Sequence, residues 1–332
     1  MSEIAVAAFA AETGSHLIWE PASAAFSRFS GSFDARSYAR SLEEQGLRFV
    51  ARSSGGYPEL LRAIHDPPPG LFLRGGGADD LLHRTTVAIV GARASSSYGT
   101  HVARMLGREL AAAGLVVVSG MARGIDGEAH RGALEAGGPT VAVLGCGVDR
   151  DYPAAHAALA GAIAETGLIV SEYAPGVEPA PWRFPARNRI IAGLAQATVV
   201  VEARERSGAL ITADLALDEG REVFAVPGEI TSALSAGTNA LLRLGATPVT
   251  SAADVLERFG LTPPAPIDPS ADLDPTSLRV YEVLREAPAT VDELVSSTGL
   301  DAADLGPALT MLDLAGLVTE GEGVYRGVRP PG

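Results

Sequence analysis

The 332-residue chain contains no lysine, because all 26 of its basic residues are arginine. A P-loop that hydrolyses ATP needs a Gly-Lys-Ser/Thr step, and Schiff-base chemistry needs a lysine amine. Both are excluded, together with covalent attachment of pyridoxal phosphate. The single cysteine, Cys146, also excludes a disulfide framework and a cysteine-rich metal site.

Long apolar runs are absent as well, although 47% of the residues are hydrophobic and only 20% are charged. No run reaches the ~18 residues of a membrane-spanning helix, since Gly, Arg or Glu interrupts each one. The N-terminus lacks a basic segment and carries Glu3 early, so we predict no signal peptide. We expect a globular cytoplasmic protein without a membrane span.

The net charge of −14 is unevenly distributed along the chain. Residues 85–260 carry 14 arginines against 18 acidic residues, whereas residues 261–332 carry 4 against 12 and so contribute −8. A protein this acidic does not coat nucleic acid with its whole surface. Any site for a polyanion must be a local patch in the middle of the chain.

Continuously apolar, β-branched segments alternate with helical patterns through that middle region. Such segments predict strands that are covered on both faces of a parallel sheet. The predicted strands are 86–90, 115–119, 140–144, 168–171, 198–202 and 222–226, and the predicted helices are 98–113, 126–136, 154–166, 185–195 and 209–219. This alternation predicts an α/β fold with a doubly wound parallel sheet, whose ligands bind beyond the carboxyl ends of the strands.

The flanking regions predict smaller parts. Residues 1–45 form a short N-terminal helical segment with a helix at 35–44, residues 46–260 form the extended Rossmann-like domain, and residues 261–275 form a linker rich in Pro and Asp. Three helices and a hairpin over 276–332 predict a small C-terminal winged-helix domain. Thr290 and Glu293 form a capping box at the start of its second helix.

Glycines and arginines follow the first two strands of the central sheet. G-A-R with Arg93 follows the first, and S-G-M-A-R-G with Ser119, Gly120, Arg123 and Gly124 follows the second. The spacing is not G-x-G-x-x-G, so the dinucleotide fingerprint is excluded. Amides, hydroxyls and an arginine at helix N-termini still suit a phosphate, with tight turns and helix caps as the structural alternative.

The strongest pattern is F-P-A-R-N-R, which opens a predicted helix and is followed later by a Ser-Gly helix start. Arginine can hold a phosphate with two hydrogen bonds, and phenylalanine can stack on a base. The candidate residues are Phe184, Arg187, Asn188, Arg189, Ser207 and Gly208. Convergence of these loops at one sheet edge predicts a groove for a phosphate-and-base ligand.

Five other polar residues have simple structural explanations. Asp126 is either a helix N-cap or a site residue, and His130 is expected to be a structural hydrogen-bonding group because no second histidine stands at metal spacing. Cys146 is predicted to be a small buried residue. Asp149 and Asp151 belong to a turn rather than to a metal site.

Several ordered motifs resemble the DprA/Smf family over about residues 55–260. They are I-V-G-A-R at 89–93, S-G-M-A-R-G-I-D-G-E-A-H at 119–130, L-G-C-G-V-D-R-D-Y-P at 144–153, S-E-Y-A-P-G at 171–176, F-P-A-R-N-R-I-I-A-G-L at 184–194, S-G-A-L-I-T at 207–212, A-V-P-G at 225–228 and G-T-N at 237–239. The resemblance implies a homodimeric protein with an extended Rossmann fold and no cofactor. It implies binding and protection of incoming single-stranded DNA in natural transformation, and loading of the recombinase RecA, without enzymatic activity.

The resemblance also implies roles for individual residues. Arg93 would contact a phosphate, and Phe184 would stack on a base. Arg187 and Asn188 would fix the DNA strand beside that base. The same pocket would be lined by Ser119, Gly120 and Gly124.

The C-terminal region resembles the winged helix found in many family members, but its third helix is acidic. The segment D-A-A-D-L-G-P-A-L-T-M-L-D-L has three Asp and no basic residue. A helix that enters the major groove of DNA needs cationic or amide contacts and suffers from like charge. We therefore predict that this module contacts protein and does not hold DNA through this helix.

Two other functions remain open at this stage. Related Rossmann folds cleave nucleotide N-glycosidic bonds with an arginine and a carboxylate, here Arg93 or Arg187 with Glu202. The chain lacks the P-G-G-x-G-T run typical of those phosphoribohydrolases, and a salt bridge from Glu202 to Arg187 or Arg204 is the simpler interpretation. An acidic scaffold that works through the tail alone is the third possibility.

Overall fold

The computed structural model describes residues 2–13, 24–77, 79–262, 273–315, 317–321 and 323–328. The chain divides into two compact units, Met1–Pro263 and Pro264–Gly332. Most of the predicted linker, 261–275, lies outside the described residues. Within the described part of the chain, no helix is long and apolar enough to cross a membrane.

The first unit contains a nine-stranded sheet in the order β1-β2-β6-β5-β4-β3-β7-β8-β9. Its strands are β1 Leu47–Ala51, β2 Gly70–Arg74, β3 Thr86–Val90, β4 Val116–Ser119, β5 Thr140–Val143, β6 Leu168–Ser171, β7 Ala197–Val200, β8 Glu222–Ala225 and β9 Thr247–Pro248. Strands β3 to β9 are parallel, as predicted. Strands β1 and β2, which precede the predicted parallel strands, pair antiparallel with each other, and β2 pairs antiparallel with β6.

Helices connect these strands and cover both faces of the sheet. They are α1 Glu3–Thr13, α2 Ala24–Ser32, α3 Ala35–Glu44, α4 Glu59–Arg62, α5 Ser97–Ala112, α6 Ile125–Glu135, α7 Ala157–Thr166, α8 Arg183–Leu194, α9 Gly208–Asp218, α10 Ala236–Arg243 and α11 Ala252–Arg258. Short 3-10 turns lie at Asp79–His83 and Ala154–His156. The five helices predicted for the sheet occur within a few residues of their expected bounds.

Strand β3 shows why the sheet forms where it does. All five of its side chains are buried, and successive side chains point to opposite faces of a sheet. Val87 and Ile89 belong to the apolar core that includes α5 and α6, whereas Ala88 and Val90 belong to the core that includes α8 and α9. A continuously apolar strand therefore supplies both cores at once.

The N-terminal residues hold more structure than their pattern predicts. The helix expected at 35–44 is present as α3, but α1 and α2 precede it. The rings of Phe9 and Phe26 meet edge to face at 5.3 Å, which ties α1 to α2. The Glu3 carboxylate accepts hydrogen bonds from the amide and hydroxyl of Ser53, which attaches α1 to the end of β1.

The second unit has the predicted helices and hairpin of a winged helix. Its elements are α12 Pro275–Glu286, β10 Ala289–Thr290, α13 Val291–Thr298, α14 Ala302–Leu314, β11 Val318–Gly321 and β12 Val324–Gly327. The three strands pair antiparallel in the order β10-β12-β11. The capping box of Thr290 and Glu293 is confirmed, and Tyr281 and Leu312 lie in the apolar core.

Candidate nucleic-acid interface

Two adjoining cavities lie beyond the carboxyl ends of the parallel strands. Their volumes are about 220 and 230 Å³, and four residues line both of them: Arg93, Ala122, Phe184 and Arg187. The first cavity extends towards the loop after β5, and the second extends towards the start of α9. The predicted convergence of the strand-end loops at one edge of the sheet is thus observed.

Arg93 and Phe184, which line both cavities, form a stack with Tyr152, which lines the first cavity. The Arg93 guanidinium carbon lies 5.3 Å from the centroid of the Phe184 ring. The Tyr152 ring is near-parallel to that of Phe184, at 5.3 Å and 21°. Tyr152 is 40% exposed and Arg93 is exposed, whereas Phe184 is only partly exposed. Tyr152 therefore offers the outer aromatic surface of the pair, and the analysis of the sequence missed it.

Within the described residues Arg93 is an exposed cation without a salt bridge, although its charge acts on the buried Asp126 carboxyl and, against the larger effect of burial, lowers the pKa of that group. Across the residues that the structure describes, no carboxylate lies within 4.0 Å of its guanidinium. It stands in the loop after β3, where its charge faces the cavities. Arg123, which lines the first cavity from the loop after β4, is exposed as well.

Arg187 points inward, and this changes its predicted role. The residue is only 4% exposed, and its guanidinium donates hydrogen bonds to the carbonyl oxygens of Gly120, at 2.9 Å, and Val143. Burial lowers the pKa of Arg187 to about 10, while Asp126 opposes that shift. The guanidinium stays charged at neutral pH, so it is a fixed positive charge in the cavity floor and not a mobile phosphate clamp.

Asp126 is the buried counterpart of Arg187. Burial raises the pKa of Asp126, whereas Arg187 and hydrogen bonds from the amides of Ala122 and Gly120 lower it. The N-cap of α6 is Gly124, so the N-cap interpretation of Asp126 is wrong. Its carboxylate instead holds the loop after β4 around the arginine.

The two glycines of that loop serve internal packing. A Cβ on Gly120 would lie 2.6 Å from Asp126 Oδ2 and 2.7 Å from Arg187 Nη2. Gly124 has a φ of +73°, and a Cβ there would lie 2.3 Å from the carbonyl oxygen of Ala92. Gly120 still lines the first cavity, but the close approach that both glycines permit is to protein atoms.

Asn188 and the Ser-Gly step close the second cavity. Asn188 Nδ2 donates to the carbonyl oxygen of Gly208 at 3.1 Å, which joins α8 to the first turn of α9. Ser207 is the N-cap of α9, where its hydroxyl accepts from the amide of Ala209 at 3.2 Å. All three residues line the cavity, and the positive end of the α9 dipole faces it.

Two predicted site residues lie outside the cavities. The Ser119 hydroxyl is fully buried and donates to the carbonyl oxygen of Ile89 at 2.6 Å, which leaves it nothing to offer a ligand. Arg189 forms ion pairs with Glu172 at 2.7 Å and with Asp66 at 3.0 Å. Although burial disfavours the charge, these carboxylates raise the pKa of Arg189, so its charge is already neutralised.

Glu202 has neither of its predicted roles. It is 3% exposed, and its carboxylate accepts from the amide of Ser96, at 3.0 Å, and from the Ser96 hydroxyl. Both predicted salt bridges, to Arg187 and to Arg204, are therefore wrong. A carboxylate held at the start of α5 is also a poor partner for glycosidic cleavage, because it does not line either cavity.

The remaining polar residues are structural, as predicted. His130 is buried with Nδ1 2.7 Å from the Thr140 hydroxyl oxygen, and Cys146 is fully buried, which raises the pKa of its thiol to about 11. Asp149 accepts from the amide of Gly176 at 2.9 Å, and Asp151 pairs with Arg74 at 2.6 Å. Where the chain is described, no group of three or more His, Cys, Asp or Glu is placed to hold a metal ion.

The geometry defines a class of protein. A Rossmann-like sheet carries an arginine-lined and aromatic-lined site at its carboxyl edge, and a winged-helix unit follows in the chain. The family model described as DNA recombination-mediator protein A matches residues 48–260, and the DprA winged helix domain matches residues 262–323. The chain therefore belongs to the DprA/Smf family of recombination mediators, which is not a family of enzymes.

Individual relatives agree with this assignment. The chain is 39% identical over 298 residues to protein Smf of Escherichia coli, covering 87% of this chain and 79% of the relative. The structure resembles DprA of Streptococcus pneumoniae with a TM-score of 0.66 and 39% identity, over 77% of this chain and 92% of the other. It also resembles DNA processing protein A of Helicobacter pylori, described for its single-stranded DNA binding mode, with a TM-score of 0.57 and 32% identity, over 61% and 92%.

Proposed function

We propose that the two cavities bind single-stranded DNA and that the chain is a recombination mediator acting through this site. The observation that carries the proposal is the stack of Arg93 and Tyr152 on Phe184, which places an exposed cation close to two aromatic rings, one of them the exposed ring of Tyr152. Proteins that bind single strands combine such a positive groove with aromatic stacking surfaces. The single-stranded DNA binding mode described for the Helicobacter pylori relative supports the same ligand.

The electrostatics of the site favour a strand that passes along the strand ends. Arg93 and Arg123 are exposed, and Arg187 adds a buried positive charge beneath them. The net charge of −14 confines DNA to this patch, since the rest of the surface repels a polyanion. Arg204 and Arg206 are also exposed, in the loop before α9, with the exposed Glu205 between them.

A gel-shift comparison of single- and double-stranded oligonucleotides tests this proposal. Single strands of mixed sequence are expected to shift at lower protein concentration than duplexes, with little preference among bases. Free nucleoside monophosphates incubated with the protein should release no base. Equal affinity for duplex would contradict the preference for single strands, whereas base release that Glu202→Gln abolishes would favour the hydrolase alternative.

The finer functions follow from the family and rest on the same site. We propose that the protein protects incoming DNA in natural transformation, loads RecA on it, and acts as a cytoplasmic homodimer. The recombination-mediator family assignment supports a recombinase partner. RecA filament assembly on single strands, measured with and without this protein, tests the loading step. Sedimentation of the protein alone tests the dimer.

The acidic composition of α14 supports a contact with protein. Its N-cap Asp301 and the helical residues Asp304 and Asp313 are exposed, and α14 has no basic residue. We therefore propose that deletion of residues 264–332 leaves single-stranded DNA affinity within about threefold, a difference of under 1 kcal/mol. Complete loss of binding would assign the DNA contact to the winged helix instead.

A further inference from the structure

A second group of aromatic and arginine side chains lies next to the cavities, at the start of α8. We propose that Tyr173, Trp182 and Arg183, the aromatic–arginine cluster, form a second base-stacking subsite that extends the DNA track beyond the cavities. This inference rests on the proposed binding of single-stranded DNA. It assigns a function to residues that neither cavity includes.

The geometry of the cluster suits a flat, negatively charged ligand. The Arg183 guanidinium carbon lies 4.9 Å from the Trp182 ring centroid and 5.1 Å from that of Tyr173. The two rings meet edge to face at 6.4 Å. Trp182 is 39% exposed, so a face or edge of the indole is open to a base. Arg183 is partly exposed and donates one hydrogen bond to the carbonyl oxygen of Glu178, and the rest of its guanidinium stands beside the indole for a phosphate.

The cluster is joined to the first cavity by short contacts. Arg183 directly precedes Phe184, and a Cβ on Gly145 of the cavity wall would lie 2.9 Å from Phe184 Cδ1 and 3.3 Å from the Arg183 carbonyl oxygen. On the other side, the Tyr173 amide donates to the Ser171 hydroxyl. That hydroxyl donates to the carbonyl oxygen of Cys146, which lines the cavity.

The order of the strands places the second cavity, the first cavity and the aromatic–arginine cluster one after another along the edge of the sheet. The second cavity lies by β3 and α9, the first by β4 and β5, and Tyr173 follows β6. From β3 to β6 the sheet advances three strand spacings, or about 14 Å at ~4.8 Å each. At about 3.4 Å per stacked nucleotide, that distance holds roughly four nucleotides.

Nearby carboxylates do not oppose a phosphate at the cluster. Glu172 is buried and paired with Arg189, and Glu178 is paired with Arg150 at 2.7 Å. Within the described parts of the chain, no carboxylate lies within 4.0 Å of the Arg183 guanidinium. Burial raises the pKa of the Tyr173 hydroxyl, and Glu172 adds to that shift, so the tyrosine stays neutral.

Tryptophan fluorescence of the full chain tests the subsite directly. The sequence has two tryptophans, and the background variant Trp19→Phe leaves Trp182 as the sole emitter. Oligothymidylates of increasing length are titrated, with binding followed in parallel by the anisotropy of a dye on the DNA. We expect quenching of Trp182 by strands long enough to pass the cavities, and none by an abasic strand of equal length.

Affinity measurements on variants complete the test. Trp182→Ala should weaken binding of long strands by about 5- to 150-fold, the equivalent of the ~1–3 kcal/mol lost per stacked base, and leave short strands unaffected. Trp182→Phe should retain most of the affinity, which separates stacking from misfolding. Arg183→Ala should likewise weaken the binding of long strands and leave short strands unaffected. Arg108→Ala removes an arginine of α5 that lines neither cavity, and it should leave both affinities unchanged.

Two negative results have different meanings. Intact anisotropy without quenching, or equal affinity of Trp182→Ala and the parent for long strands, overturns the second subsite and leaves the cavities as the site. Absence of DNA binding by the parent in both assays overturns the proposed function itself.

Discussion

The guanidinium of Arg93 lies over the ring of Phe184, 5.3 Å from its centroid, and the ring of Tyr152 stacks near-parallel on Phe184 at the same centroid distance. This arrangement joins loops after β3 and β5 to the start of α8. A phosphate contact and a stacking surface are thereby held within one wall. Arg187, which was predicted to lie beside them, is instead buried and donates to the carbonyl oxygens of Gly120 and Val143 beneath the cavities.

Replacing Arg187 with alanine should lower stability as well as DNA binding. The change removes a buried cation that donates to the carbonyls of Gly120 and Val143 and leaves Asp126 without its positive neighbour. Each buried carbonyl that loses its hydrogen bond costs about 1–3 kcal/mol. Urea denaturation measures this loss, and an unchanged free energy of unfolding would contradict the structural role of the arginine.

Gly120→Ala should destabilise the protein by about 1–3 kcal/mol, because the new Cβ enters a filled site. It would lie 2.6 Å from Asp126 Oδ2 and 2.7 Å from Arg187 Nη2. Gly161→Ala is the matched control, since its Cβ meets nothing within 4 Å inside α7, and it should stabilise by about 0.4–1 kcal/mol. Thermal unfolding of both variants measures the two changes in stability. Equal changes in the two variants would refute the packing argument.

His130 should make the fold sensitive to acid. Thr140 donates to the carbonyl oxygen of Val117, so its hydroxyl oxygen accepts from His130 Nδ1–H and the imidazole is neutral. Burial lowers the pKa of His130 from 6.5 to about 3. As the pH falls below 6.5, His130 is protonated in the unfolded chain but not in the folded protein. The stability that the neutral buried histidine contributes is therefore complete above pH 6.5 and is lost as the pH falls towards 3.

The size of that acid effect is set by the linkage relation, at about 1.4 kcal/mol per pH unit at most. Denaturation of the parent and of His130→Gln at several pH values in this window isolates it from the titration of carboxylates. The variant should show the shallower slope. Identical slopes would mean that the histidine is protonated in the folded protein.

The sheet and its helices were predictable because the pattern at β3 to β8 is unambiguous. Each strand is buried on both faces, so its residues are apolar without alternation. The antiparallel pairing of β1 and β2 was not predictable, since their sequence does not encode a partner. Helices α1 and α2 were missed because alanines and scattered aromatics give no clear apolar stripe, and their contacts are tertiary.

The location of the site could be predicted from the sequence, but the role of each residue in it could not. Helical residues are 100° apart, so Phe184, Arg187 and Asn188 share a face, whereas Arg189 lies about 200° from Arg187. This spacing alone could have excluded Arg189, which pairs with Glu172. The inward direction of Arg187 could not be inferred, because it depends on carbonyls at the ends of β4 and β5.

The salt dependence of single-stranded DNA affinity tests the central claim most directly, measured by anisotropy for the parent, Arg93→Ala and Arg108→Ala. Arg93 is exposed and lines both cavities, whereas Arg108 lies elsewhere on α5. We predict that only Arg93→Ala weakens binding across all sequences, without loss of folding stability, and that it reduces the slope of log affinity against log salt by about 0.7. If Arg93→Ala binds with the affinity and slope of the parent, the DNA site does not lie at this edge of the sheet.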